Sequence, residues 1–81
     1  MSEIRIEHQP AQQRFVLRLD NASALLEYRL MAQDIDFCHT FVPPEFRGKG
    51  LAEQLVRHAL SWAQAQGYQL SASCSYVRRF L

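Results

Sequence analysis

The feature that most limits the possible folds is a single amphipathic stretch over residues 50–66, placed between runs of alternating hydrophobicity. Its apolar residues recur at helix spacing: Leu51, Ala52, Leu55, Val56, Ala59, Leu60 and Ala63. Gly67 follows at the position where a left-handed residue often ends a helix. One such helix covers only one face of a sheet. The 81 residues therefore predict a two-layer structure with a single domain over residues 1–81.

Runs of alternating apolar and polar residues flank the helix, and this pattern is typical of half-buried strands. Four precede it, at residues 4–8, 15–19, 25–30 and 35–42, and a fifth follows at 68–72. Short connections favour an antiparallel arrangement of the first four, whereas the helical crossover makes the last two parallel. The prediction is an α/β (α+β) fold. It has a mainly antiparallel five-stranded sheet, one long helix between strands 4 and 5, and a short C-terminal helical turn.

The alternation also predicts which side chains face the core. In the fourth run it places Ile35, Phe37, His39 and Phe41 together on the apolar face, with Cys38 on the opposite face. Phe15, Tyr28 and Trp62 are further expected core residues. His8 and His58 are expected at the surface.

Composition excludes several classes of function. Nine basic and eight acidic residues leave a formal charge of +1, which gives no support for nucleic-acid or anionic-membrane binding. No apolar run is long enough to predict a membrane span, and no secretory pattern opens the chain, so a cytoplasmic protein is expected. Cys38 and Cys74 are expected as free thiols, and the cysteine and histidine spacing predicts no metal site.

The segment before the helix carries the chemistry. Two prolines follow Val42 and end sheet pairing, and Arg47, Gly48, Lys49 and Gly50 then lead directly into the helix. A glycine-rich loop at a helix N-terminus presents unpaired N–H groups at the positive end of the helix dipole, which suits a phosphate or pyrophosphate. The alternative interpretation is that the glycines only shape a tight strand-to-helix turn.

This segment resembles the acetyl-CoA-binding motif of the GNAT superfamily of N-acetyltransferases, Arg/Gln-x-x-Gly-x-Gly/Ala, with Arg47, Gly50 and Ala52 at its fixed positions. The whole chain is similar to a short GNAT-like family with His-Thr-x-Val-Pro before the loop and Cys-Pro-aromatic after the fifth strand. Residues 39–43 and 74–76 match these motifs, except that Ser75 replaces the proline. The resemblance implies a truncated GNAT fold that uses acetyl-CoA.

The resemblance also implies roles for particular positions. The loop amides of Arg47, Gly48, Lys49, Gly50, Leu51 and Ala52 would hold the CoA pyrophosphate. The strand edge at Thr40, Phe41 and Val42 would pair with the pantetheine arm, and an N–H near Thr40 would polarise the acetyl carbonyl. The helices that often form the acceptor site in this superfamily are absent between the first two strands, so the resemblance does not identify the acceptor.

Three residues are catalytic candidates, each with a structural alternative. Cys74 could be an acetyl-carrying nucleophile or a proton donor to the departing CoA thiolate, or a small buried thiol. His39 could be a general base for an amine, or a hydrogen-bonded core residue. Tyr76 could protonate the CoA thiolate, as tyrosines of longer GNAT enzymes do, or serve packing alone.

The predicted function is acetyl transfer from acetyl-CoA to an unknown amine, by direct attack in a ternary complex or through an acetyl-Cys74 intermediate. The alternative is a non-catalytic acyl-CoA-binding module that acts as a sensor or partner subunit. A third possibility is a phosphate-ligand binder unrelated to CoA. Because one face of the sheet is left bare, a monomer or a weak homodimer is expected.

Overall fold

A computed structural model describes residues 5–19, 22–46 and 50–81. The loop residues Arg47, Gly48 and Lys49 lie outside the described residues. The strands are β1 (Arg5–Gln9), β2 (Arg14–Leu19), β3 (Ala22–Met31), β4 (Asp34–Phe41) and β5 (Gln69–Ala72). The helices are α1 (Leu51–Ala65) and α2 (Ser75–Arg78), and short 3₁₀ turns occupy Pro10–Gln12 and Pro44–Phe46.

The strands form one sheet in the order β1-β2-β3-β4-β5. β1 to β4 pair antiparallel, and β5 pairs parallel to β4 because α1 carries the chain back across the sheet. The predicted fold class is therefore confirmed. β3 begins at Ala22, three residues before the predicted start, because Ala22 already pairs with Leu19 in the β2–β3 hairpin.

Helix α1 packs on one face of the sheet and forms the core with it. Leu55, Val56, Ala59 and Ala63 are fully buried and belong to the same cluster as Phe15 and other apolar residues of the sheet. A buried side chain of the size of Leu or Phe stabilises the fold by about 1.5–3 kcal/mol. The helix stripe read from the sequence is therefore the surface that holds the two layers together.

The C-terminal end of α1 has the geometry that Gly67 predicts. Gly67 has a φ of 83°, its N–H donates to the Gln64 carbonyl at 3.0 Å, and the Tyr68 N–H donates to the Ala63 carbonyl at 3.1 Å. These two bonds form a Schellman motif, which satisfies helix carbonyls that would otherwise lack donors. The motif turns the chain sharply from α1 into β5.

A β-bulge interrupts the alternation of β4. Tyr28 pairs with Phe37 but Glu27 pairs with His39, so Cys38 is an extra residue with no partner of its own. One extra residue inverts a period-two pattern, and Thr40 therefore takes the helix-side face. The prediction that His39 and Phe41 share the apolar face with Phe37 is wrong. His39 is exposed, and Phe41 is 52% exposed.

The prediction that His8 is a surface residue holds only in part, because its side chain is half-buried. Its ring stacks on Phe15 with centroids 4.1 Å apart and meets Trp62 edge-on at 4.4 Å. His8 Nε2 is hydrogen-bonded to the Tyr28 hydroxyl at 2.6 Å. Burial lowers the pKa of His8, and the neighbouring charge of His58 acts in the same direction. His58 itself is exposed, as predicted.

Candidate functional site

A cleft of about 610 Å³ opens beside the C-terminal half of β4, next to the start of α1. Its walls are formed by Thr40, Phe41, Val42, Phe46, Gly50, Ala52, Glu53 and Tyr76. The cleft thus joins one strand edge, one helix N-terminus and the C-terminal helical turn. Four of these eight residues are aromatic or branched apolar, as in many small-molecule sites.

The open strand edge in the cleft follows from the early end of β5. β5 pairs with β4 only as far as the contact between Phe37 and Ala72. β4 continues to Phe41, where it pairs with β3 on its other side. Beyond Phe37 no β5 residue pairs with β4, so the β4 backbone on this side is open to an extended ligand, apart from the Thr40 N–H, which faces the Cys74 thiol.

The start of α1 provides a second set of backbone donors. Gln54 N–H donates to the Gly50 carbonyl at 3.1 Å, which is the first bond of the helical ladder. The amides of Leu51, Ala52 and Glu53 precede this bond and have no acceptor among the described residues. Gly50 adopts φ 70° and ψ 11°, and a Cβ there would meet no atom within 4 Å among the described residues beyond its chain neighbours. This open space beside these amides is suited to an anionic group.

Cys74 lies across the strand gap from Thr40. Thr40 Oγ1 and Cys74 Sγ are 3.4 Å apart, a contact that exists because the bulge turned Thr40 towards this side of the sheet. Burial alone would raise the pKa of the Cys74 thiol. The Thr40 hydroxyl and the nearby amides of Val77, Tyr76 and Thr40 outweigh burial and lower the pKa, although no cap hydrogen bond of standard geometry forms to α2.

The other two catalytic candidates are placed differently. Tyr76, on α2, lines the cleft and packs edge-on against Phe80 with ring centroids 5.4 Å apart. His39 is on the sheet face opposite α1 and is not among the residues that line the cleft. Cys38 Sγ donates to the Glu27 carbonyl at 3.7 Å, so the second thiol is bound to β3. Both cysteines are free, as predicted.

Two lining residues were missed by the sequence analysis. Phe46 is 1% exposed and ends the turn after the prolines, where its N–H donates to the Pro43 carbonyl at 3.0 Å. The sequence signal that could have predicted its burial is an apolar residue placed between the charged residues Glu45 and Arg47. Glu53 also lines the cleft, and its carboxylate is ion-paired with Arg57 at 2.7 Å. The i,i+4 spacing predicts that pair but does not predict its position beside the cleft.

The described residues show neither a metal-binding cluster nor a membrane-spanning helix. They contain no group of three or more side chains arranged to hold a metal ion. Within residues 5–19, 22–46 and 50–81, no helix has the length and apolar character needed to cross a membrane.

Comparisons with known proteins agree on one family. The model of a GCN5-related N-acetyl-transferase family matches residues 14–81. Protein NATD1 of Xenopus tropicalis is 32% identical over 84 residues, which covers 99% of this chain and 76% of that protein. Protein NATD1 of Bos taurus is 33% identical over 82 residues, with 96% and 72% covered.

A solved structure shows the same fold. The NMR solution structure of a GCN5-like protein from Staphylococcus aureus aligns with a TM-score of 0.76 at 28% identity. The alignment covers 99% of this chain and 79% of that one. With the profile match over residues 14–81 and the sequence relatives, this likeness establishes that the chain belongs to the GCN5-related N-acetyltransferase family.

Proposed function

We propose that residues 1–81 form a single acetyl-CoA-binding domain that transfers the acetyl group to an amine. One observation carries the proposal: the edge of β4 beyond its last β5 pair and the first amides of α1, which have no acceptor among the described residues, border the same cleft. CoA joins an extended amide-containing arm to a pyrophosphate. A strand edge and a helix N-terminus offer matching partners for these two parts.

Different groups of the chain would bind the two parts of CoA. Backbone donors and acceptors near Thr40 would hold the pantetheine arm, and one N–H of this edge would polarise the acetyl carbonyl. The amides of Leu51 and Ala52 would face the phosphates, with Gly50 leaving room for them. The motif alone assigns Arg47, Gly48 and Lys49 to the same phosphate site.

Cys74 is not among the residues that line the cleft, but its Sγ lies 3.4 Å from Oγ1 of the lining residue Thr40, and this contact supports transfer through the thiol. Bound acetyl-CoA supplies an activated thioester. Cys74 Sγ, as the thiolate, would attack its carbonyl carbon. A bond then forms from sulfur to the acetyl group, while the bond from the acetyl carbon to the CoA sulfur breaks. Tyr76, which lines the same cleft, is the proposed proton donor to the departing thiolate. An amine would next attack acetyl-Cys74, the bond from the acetyl carbon to the Cys74 sulfur would break, and the amide product would leave; the proton lost from nitrogen would return to Tyr76, so that Cys74 is again the thiolate.

A second candidate function is acyl-CoA binding without transfer. His39, the predicted base for an amine, is exposed on the far face of the sheet. Among the described lining residues the carboxylate of Glu53 is ion-paired with Arg57. These two observations favour a sensor or partner subunit if Cys74 does not accept an acetyl group.

Two measurements test the proposal in sequence. Isothermal titration with acetyl-CoA, CoA and ATP should show binding of both CoA species and weaker binding of ATP. Failure of both CoA species to bind contradicts the proposal and its alternative together. Intact-mass analysis after incubation with acetyl-CoA should then show an adduct of about 42 Da, one acetyl group.

The two cysteines provide a matched pair of variants for the mass measurement. Cys38→Ala should keep the adduct, because that thiol is bound to the Glu27 carbonyl. Cys74→Ala should abolish it. Binding without any adduct supports the non-catalytic module, whereas an adduct that persists in Cys74→Ala contradicts the thiol route.

A further inference from the structure

The last rung between β5 and β4 is displaced by one residue. Gln69 N–H donates to the Gln33 carbonyl at 2.8 Å. A parallel ladder advances two residues on each strand, so Ser73 N–H is the expected donor to the Phe37 carbonyl. The structure instead has Cys74 N–H donating to Phe37 at 3.1 Å. Something therefore removes Ser73 from the ladder at this point.

The carboxylate of Asp36 binds both donors of Ser73. Asp36 Oδ1 accepts the Ser73 backbone N–H at 2.8 Å, and Oδ2 accepts the Ser73 hydroxyl at 2.7 Å. Hydrogen bonds to a charged acceptor are about twice as strong as neutral ones. The carboxylate therefore competes well with the Phe37 carbonyl for the Ser73 amide, and the chain is displaced so that Cys74 takes the rung.

We propose that Asp36 is a positioning residue for the thiol: by binding Ser73 it displaces the end of β5 by one residue and holds Cys74 Sγ against Thr40. The relevance of this position to acetyl transfer rests on the proposed function. A one-residue displacement along a strand is about 3.3 Å. The observed Sγ to Oγ1 distance is 3.4 Å, so a return to the regular ladder would break this contact.

A second contact holds the same segment from the other side. The Arg78 guanidinium donates to the Ala72 carbonyl through Nε at 3.3 Å and Nη2 at 3.2 Å. The chain is thus restrained on both sides of Cys74. Before it, Ser73 is bound to Asp36, and after it, Arg78 is bound to Ala72. Asp36 differs from Arg78 because it binds the Ser73 N–H, which would otherwise donate to the Phe37 carbonyl. Removal of Asp36 should therefore change the register of the β4–β5 pair as well as the mobility of the turn.

The test measures the rate of Cys74 alkylation by iodoacetamide, across pH about 5 to 10, in a Cys38→Ala background where Cys74 is the remaining thiol. Asp36→Ala should slow alkylation at neutral pH by about threefold or more, because the thiol loses the groups that stabilise its thiolate. Asp36→Asn should restore most of the rate, since its amide oxygen can accept the Ser73 N–H. Asp34→Ala is the matched control, because Asp34 is an exposed β4 carboxylate that does not contact Ser73, and it should leave the profile unchanged.

Urea unfolding separates positioning from a general effect on stability. A folded Asp36→Ala protein with the parent alkylation profile would overturn the proposal, even if its stability falls. If Asp36→Ala does not fold, Ser73→Ala removes the hydroxyl contact alone and should still slow alkylation; an unchanged profile there overturns the proposal. Alkylation needs no acetyl-CoA. Absence of acetyl-CoA binding would therefore contradict the proposed function and leave the assignment of Asp36 standing.

Discussion

Replacement of Gly50 by alanine separates backbone strain from ligand contact. Gly50 has φ 70°, and among the described residues beyond its chain neighbours no atom lies within 4 Å of the Cβ that alanine would add. The cost to folding is therefore backbone strain alone, about 1–2 kcal/mol for an L-residue in the left-handed region. Lower entropy of the unfolded chain offsets about 0.4–1 kcal/mol of this. A net loss near 1 kcal/mol corresponds to a fall in Tm of about 4–8 °C for a domain of this size.

Gly67→Ala is the matched control. Gly67 has φ 83°, its added Cβ would also meet nothing within 4 Å, and it ends α1 at the opposite pole from the cleft. Both variants should lose similar stability in thermal denaturation. In titration with acetyl-CoA, Gly50→Ala should raise Kd by about tenfold, which is about 1.4 kcal/mol, while Gly67→Ala should bind as the parent does. Equal affinities of the two variants would refute the assignment of a phosphate site to the start of α1.

Three further changes have defined outcomes. Because the pKa of His8 is lowered in the folded state, the unfolded state binds the His8 proton more readily as the pH falls. The free energy of unfolding should therefore decrease below about pH 6.5 and be constant above it. Urea unfolding measures this dependence, and a His8→Phe protein with the same pH dependence as the parent would contradict the prediction. Thr40→Val should slow alkylation of Cys74 at neutral pH and Thr40→Ser should preserve it, and equal rates would show that the hydroxyl does not act on the thiol. Glu53→Gln removes the negative charge of a cleft-lining residue and breaks its exposed ion pair with Arg57. It should lower the free energy of unfolding by at most about 1 kcal/mol and lower the Kd for CoA in titration. A higher Kd would mean that the carboxylate contacts the ligand.

Much of the fold could be predicted from the sequence because its signals are local. The helix stripe from Leu51 to Ala63 and the stop at Gly67 depend on residues within a few turns, and both predictions are confirmed. The fold class followed from the order of such elements. The bulge at Cys38 could not be predicted from the sequence. The residues of β4 still alternate in type, but the extra residue reverses which of them face the helix after Cys38. His39 and Phe41 were therefore assigned to the wrong face.

Gly50 and Ala52, which the motif marks, both line the cleft, and their role in phosphate binding stays a prediction. Glu53 was missed as a lining residue because its ion pair with Arg57 is also typical of an ordinary exposed helix surface. The half-burial of His8 was missed for a similar reason: its packing partners Phe15, Tyr28 and Trp62 come from two other strands and the helix.

What the sequence by itself determined is the set of elements, their order and the family motif at the start of α1. The tertiary structure decided which face each β4 side chain occupies after Phe37, and which donor completes the last β5 rung. It thereby decided that Thr40 contacts Cys74 at 3.4 Å. The physical reason is that register results from competition between backbone partners on different strands. Asp36 wins that competition for Ser73 only once the strands are side by side.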